Sequence, residues 1–127
     1  MANILVVDDD EQYPIMLAKI LQKDNHNVTI ASDGKEALKF CKVQKFDLII
    51  TDIFMPNEDG LELIIQLKGS KIPVIAISGG HHVLTSEFAL NNALIFGAKA
   101  TLTKPFSGEQ LFDAVNDALN SHDNKMQ

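Results

Sequence analysis

The sequence predicts an α/β fold: a parallel sheet wound on both faces by helices. Three observations carry that expectation. Short β-rich runs alternate with longer helical segments along the chain, five of each. The runs Ile4–Val7, Leu48–Ile50 and Val74–Ile77 are continuously apolar rather than alternating, as strands buried on both faces are. Helix-start signals precede the helical segments: Asp33 with Glu36, Asp59 with Glu62, and Ser107 with Gln110 each set a capping residue three positions before Glu or Gln.

The first strand is expected over Asn3–Asp8 and the first helix over Glu11–Lys23. Pro14 falls in that helix's first turn, where a missing N–H costs little, although it disfavours helical geometry at Tyr13. A strand over Asn27–Ala31 and a helix over Gly34–Val43 follow. The third strand, Asp47–Thr51, runs into Asp52 and a Pro/Gly loop that leads to a helix over Gly60–Lys68. Within that helix Leu61, Leu63, Ile64, Ile65 and Leu67 are mostly core, but one helix cannot turn all of them inward. The fourth strand, Pro73–Ile77, precedes Ser78-Gly79-Gly80 and a helix over Leu84–Phe96, with Gly97 as a left-handed stop. The fifth strand, Ala98–Leu102, leads through Thr103-Lys104-Pro105-Phe106 to a last helix over Gly108–Asn120. Leu111, Val115, Ala118 and Leu119 form its apolar stripe. Phe112 lies one position off that stripe, either as a partner contact or as a cover for Phe106. The polar tail Ser121–Gln127 is expected to fray.

The 127 residues suffice for one domain, and no output domain is expected after the fifth helix. The net charge of −6 argues against a nucleic-acid surface, which needs clustered Lys and Arg. One cysteine, Cys41, excludes an internal disulfide and a Cys zinc cluster, and fits a reducing cytosol. The start Met1-Ala2-Asn3-Ile4 has no basic leader, and no apolar stretch reaches the roughly 20 residues of a spanning helix, so a cytoplasmic location is expected.

Two apolar strands end in acid: Ile4–Val7 in Asp8-Asp9-Asp10, and Leu48–Thr51 in Asp52. Ligands of open parallel sheets bind beyond the carboxyl ends of the strands, where strand order reverses. The order 2-1-3-4-5, known from such sheets, sets that reversal between the first and third strands. Three carboxylates there repel one another, and a Mg²⁺ ion removes the conflict. Ser78 and Lys104 finish the fourth and fifth strands on the same edge. Acids, a divalent ion, a Lys and a hydroxyl make a phosphoryl-transfer set in which a carboxylate can serve as nucleophile.

Val7-Asp8-Asp9-Asp10, the Asp52-x-x-Met55-Pro56-x-x-Asp59-Gly60 segment, Ser78 and Lys104-Pro105-Phe106 together resemble the receiver domain of two-component response regulators, from about Asn3 to Asn120. The resemblance implies a flavodoxin-like three-layer sandwich with Asp52 as phosphoacceptor. It implies Mg²⁺ held by Asp8, Asp9, Asp52 and the backbone carbonyl of Phe54. Ser78 and Lys104 would contact the phosphoryl group, and the Lys104–Pro105 peptide would be cis. The implied partners are a histidine kinase or histidine phosphotransfer protein and a downstream protein that reads the face of the fourth helix, fifth strand and fifth helix. No direct DNA or membrane binding is implied, and the only chemistry is the domain's own phosphorylation and dephosphorylation. Two departures stand out. The family usually has Tyr or Phe three residues before the Lys, where this chain has Thr101. The interval from Ser78 to Lys104, which includes Gly79-Gly80-His81-His82-Val83-Leu84, is longer than usual.

Plainer readings exist for each residue. Asp8–Glu11 could serve a helix macrodipole, Asp52 a turn, and Lys104 the solvent. His81-His82 fits a solvated loop better than a metal site, and Thr101 is a β-branched strand residue. An alternative function is a Mg²⁺-dependent aspartyl-phosphate phosphatase resembling the haloacid dehalogenase family, but that chemistry wants an acid where Phe54 stands. A flavodoxin-like cofactor binder fails at the first strand–helix turn, where phosphate needs N–H donors and the chain offers Asp8–Glu11.

Overall fold

The computed structural model describes residues 2–53, 59–78, 91, 93–94 and 97–126. Five strands, β1 (Asn3–Val7), β2 (Asn27–Ala31), β3 (Leu48–Asp52), β4 (Val74–Ser78) and β5 (Ala100–Thr103), pair in parallel in the order β2-β1-β3-β4-β5. Helices α1 (Tyr13–Lys23), α2 (Gly34–Val43) and α3 (Asp59–Leu67) and a C-terminal helix (Gly108–Met126) cover the sheet. The expected doubly wound sheet is therefore present, with its strand order.

The uninterrupted apolar strands follow from two cores. Leu5, Val7, Ile49 and Ala76 face α2 and α3, where Ala37, Leu63, Ile64 and Leu67 are buried with them. Ile4, Val6, Leu48, Ile50, Ile75 and Ile77 face α1 and the C-terminal helix, packing on Leu17, Leu21, Leu111, Val115 and Ala118. Successive strand residues point to opposite faces, so a strand covered on both sides is apolar at consecutive positions. The helix stripes divide accordingly. Leu63, Ile64 and Leu67 enter the core, whereas Ile65 is exposed.

Local rules set the element ends. Asp33 Oδ1 accepts from Glu36 N at 2.8 Å and caps α2. Ser107 Oγ accepts from Gln110 N at 3.0 Å while Gln110 Oε1 accepts from Ser107 N at 2.9 Å, a complete capping box. Gly97 has φ 127°, the left-handed region expected of a stop, and its N–H donates to Ala93 O.

Several boundaries move. Helix α1 starts at Tyr13 rather than Glu11, because Asp10 Oδ2 accepts from the backbone N–H of Gln12 and Tyr13 and ends the loop there. Helix α3 stops at Leu67, and Lys68–Ser70 form a 3₁₀ turn closed by Lys71 at φ 66°. Strand β5 starts at Ala100, two residues late, since the Ala98 N–H still donates to Ala93 O within the Gly97 turn and Lys99 N makes the first bond to β4, at Val74 O. The last helix extends to Met126, six residues past the expected end at Asn120. Polarity there misled the sequence reading, because the added turns contain no Gly or Pro to stop a helix. Of the helix expected over Leu84–Phe96, Asn91, Ala93 and Leu94 are helical and the rest lies outside the described residues.

Candidate functional site

Strands β1 and β3 lie side by side, with Val7 opposite Thr51, so Asp8 and Asp52 leave the sheet at one edge. Asp8, Asp9 and Asp52 each offer a carboxylate oxygen, and these oxygens lie within 4.8 Å of one another. Asp8 and Asp52 are buried and Asp9 is exposed. Lys104 completes the group, its Nζ 3.5 Å from Asp8 Oδ2 and 3.4 Å from Asp52 Oδ2.

Each side chain is positioned by an identifiable constraint. Asp8 N donates to Ala31 O at 3.1 Å, and Asp8 Oδ1 accepts from Asp10 N at 2.9 Å. One Asp8 oxygen is thus held by backbone and the other faces Lys104. Asp10 turns away to close the turn before α1, and the Tyr13 and Gln12 N–H donors hold its carboxyl below the usual carboxylate range. Lys104 N donates to Ser78 O at 2.8 Å, which ties the exit of β5 to the end of β4. The Lys104–Pro105 peptide is cis, as the resemblance implies. Ser78 is fully buried at the end of β4, which pairs with β3 on the same edge.

Gly60 has a steric reason to be glycine. A Cβ there would collide with Asp52 O and come within 2.6 Å of Ile53 Cα, so α3 can approach the end of β3 only without a side chain.

The sequence reading missed Tyr13. Its ring face lies beneath Lys104, with Nζ 3.9 Å from the ring centroid. Phe106 packs edge-on against the same ring, centroids 6.2 Å apart at 83°. Burial, reinforced by Asp8 and Asp52, pushes the Tyr13 phenol up to about 12. A signal was available: an aromatic in the first turn of α1 belongs to the rim at which β1 ends. Thr101, by contrast, is a half-buried β5 residue opposite Ala76.

The donor set suits a hard divalent cation, because only oxygens are offered. Carboxylates outnumber ammonium groups three to one in this cluster, which favours binding a cation. The Phe54 carbonyl, the Gly79-Gly80 turn and His81-His82 lie outside the described residues. A cleft of about 850 Å³ sits at the opposite ends of β4 and β5, against Leu67, Ile72, Val74 and Ala98, away from the carboxylates.

A parallel sheet in this order, with acids and a lysine on its carboxyl edge, is a doubly wound α/β domain of the receiver class. The chain belongs to the response regulator receiver domain family, whose model matches residues 4–116. It is therefore a receiver domain of two-component signalling. It is 37% identical over 119 residues to the alkaline phosphatase synthesis transcriptional regulatory protein PhoP of Bacillus subtilis, covering 92% of this chain and 48% of PhoP. It is 34% identical to the response regulator MprA of Mycolicibacterium vanbaalenii, covering 92% of this chain and 50% of that protein. The chain thus spans about half the length of these curated relatives. Among solved structures, the Francisella response regulator 1452 receiver domain superposes with TM-score 0.82 at 30% identity, covering 95% of this chain and 98% of that one. A CheY-like receiver domain protein from Methanospirillum hungatei gives 0.84 at 27% identity, with 98% of each chain covered. Among the described residues no helix is long and apolar enough to cross a membrane.

Proposed function

We propose that this chain is a phosphorylation switch that takes a phosphoryl group on Asp52 from a phosphohistidine donor, in a Mg²⁺-dependent reaction. The observation that supports it is convergence: Asp8, Asp9 and Asp52 come within 4.8 Å, with the Lys104 ammonium beside two of them. Asp8, Asp9, Asp52 and the Phe54 carbonyl would hold the ion. A divalent ion bound there supplies charge neutralisation for the phosphoryl oxygens.

An Asp52 carboxylate oxygen attacks phosphorus, the P–N bond to the donor imidazole breaks, and the freed imidazole nitrogen takes a proton from water. The donor is thus a histidine kinase or histidine phosphotransfer protein, and the domain contributes the reactive geometry itself. Lys104 stabilises charge on the transferring group, and the Ser78 hydroxyl accompanies it as a hydrogen-bond donor. The added charge and acceptor oxygens then draw neighbouring segments inward. Thr101 cannot rotate as an aromatic gate, so the change is transmitted through backbone at the end of β4 and through β5. Output passes to a protein partner on the β5 side, in the cytoplasm.

Incubation with a small phosphodonor and Mg²⁺, followed by intact mass, tests this. One added phosphoryl group is expected, absent in Asp52→Ala and without Mg²⁺. An equal gain in Asp52→Ala refutes the assignment. Steady turnover of phosphate esters would instead support the phosphatase alternative.

A further inference from the structure

We propose that Tyr13 is a positioning residue for Lys104, its ring face acting as a seat that holds the ammonium over the Asp8–Asp52 edge. The inference deepens the reading of Asp52 as phosphoacceptor and rests on it. The Lys104 Nζ stands 3.9 Å above the Tyr13 centroid, within the range at which a cation is attracted by a ring face. The same nitrogen faces Asp8 and Asp52 at 3.5 and 3.4 Å, so the ammonium is sandwiched between carboxylates and an aromatic face. Phe106, two residues beyond Lys104, packs edge-on against the ring. The chain segment that carries the Lys thus also braces the ring.

The seat matters because the two attractions respond differently to the state of the site. When the carboxylate charge is taken up by a bound cation, the pull of Asp8 and Asp52 on the ammonium weakens. The attraction of the ring does not depend on those carboxylates. Tyr13 therefore keeps the lysine at the rim at the moment its other partners loosen their hold. Lysine is a flexible four-carbon stem with no preorganised geometry of its own, so such a restraint has an effect.

The test compares the full chain with Tyr13→Phe, which keeps the ring face, and Tyr13→Leu, which keeps apolar volume alone. The first readout is the lysine side-chain NMR spectrum without phosphodonor. A methylene next to an ammonium above a ring is shifted upfield. The Lys104 signal, assigned by its loss in Lys104→Met, is expected upfield in the native chain and Tyr13→Phe, and at the ordinary position in Tyr13→Leu. The second readout is the rate of phosphoryl gain from a small phosphodonor at saturating Mg²⁺. Tyr13→Leu is expected to be slower by roughly three- to tenfold, with Tyr13→Phe near the native rate. An unshifted Lys104 in a native chain that still gains a phosphoryl group overturns the seat. So does a Tyr13→Leu chain that reacts at the native rate. A native chain with the shifted lysine and no phosphoryl gain fails the reading of Asp52 instead, and the positioning role of Tyr13 falls with it.

Discussion

Lys104 Nζ lies 3.4 Å from Asp52 Oδ2, joining the ends of β5 and β3 across β4. The Asp52 side chain is 9% exposed and the Lys104 side chain 20%, so the pair is only partly screened by solvent. The same ammonium serves Asp8, which is more deeply buried still.

Removing the lysine therefore leaves two buried carboxylates close together. Lys104→Met is expected to destabilise the fold by about 1–3 kcal/mol in the absence of divalent cation, below the full penalty for an enclosed pair because solvent reaches the lysine. Urea denaturation measures it as a lower midpoint at unchanged slope. In an Asp52→Asn background the same substitution should do less, since one of the stranded charges is gone. Equal losses in both backgrounds would mean that the two side chains do not interact.

Gly60→Ala tests how tightly α3 is docked on the end of β3. The added methyl meets backbone, Asp52 O and Ile53 Cα, rather than the tip of a flexible side chain. Relief requires α3 to retreat or the strand end to shift, and overpacking of this kind costs about 1–3 kcal/mol. The nearest displaced atom is the backbone oxygen of Asp52, so phosphoryl gain should slow together with the loss of stability. A stable Gly60→Ala chain that reacts normally would show that the approach is slack.

Tyr13 gives a signature in alkali. Its phenol is raised from 10.0 to about 12, with burial as the main cause and Asp8 and Asp52 adding to it. The folded state holds the proton more tightly than the unfolded state. The associated stability is complete below pH 10 and is lost as pH rises toward about 12. The chain has one Tyr and no Trp, so tyrosinate absorbance reports this residue alone. Its midpoint is expected well above that of the urea-unfolded chain, and Tyr13→Phe should flatten the fall of stability over the same interval. Coincident folded and unfolded titrations would contradict the half-buried setting of the ring.

What the sequence made legible follows from which interactions are local. Apolar runs such as Ile4–Val7 require cover on both faces, and Asp33–Glu36 and Ser107–Gln110 cap within one turn, so strands, their burial and helix starts could be read directly. The carboxylates stand at strand ends that the strand order brings together, so their proximity was legible too. Tyr13 beneath Lys104 was not, because that contact joins residues far apart in the chain and depends on where α1 begins. That start is set by Asp10, whose carboxylate closes the turn before the helix by accepting from Gln12 and Tyr13 N–H instead of joining its acidic neighbours. The helix through Met126 was missed for the opposite reason: polarity suggested solvent, but solvent exposure does not by itself end a helix.

The acids make opposite predictions for a fold with and without divalent cation. Asp9 is the exposed member of the trio, and unlike Asp8 it has no ammonium within ion-pair distance among the described residues. Asp9→Asn removes a repelling charge without stranding a buried partner, so in metal-free buffer the variant is expected to be as stable as the native chain or slightly more so. Added Mg²⁺ should reverse the ranking. A ligand that binds only the folded state at roughly a hundred times its Kd contributes about 2.7 kcal/mol, and the native chain should gain on that order. Asp9→Asn has one charged oxygen donor fewer and should gain much less at the same concentration. Thermal denaturation of both chains across a Mg²⁺ titration measures the crossing, with Ca²⁺ and a matched increase in NaCl as controls for ion type and general screening. Parallel curves, with Asp9→Asn stabilised as much as the native chain, would place the ion elsewhere.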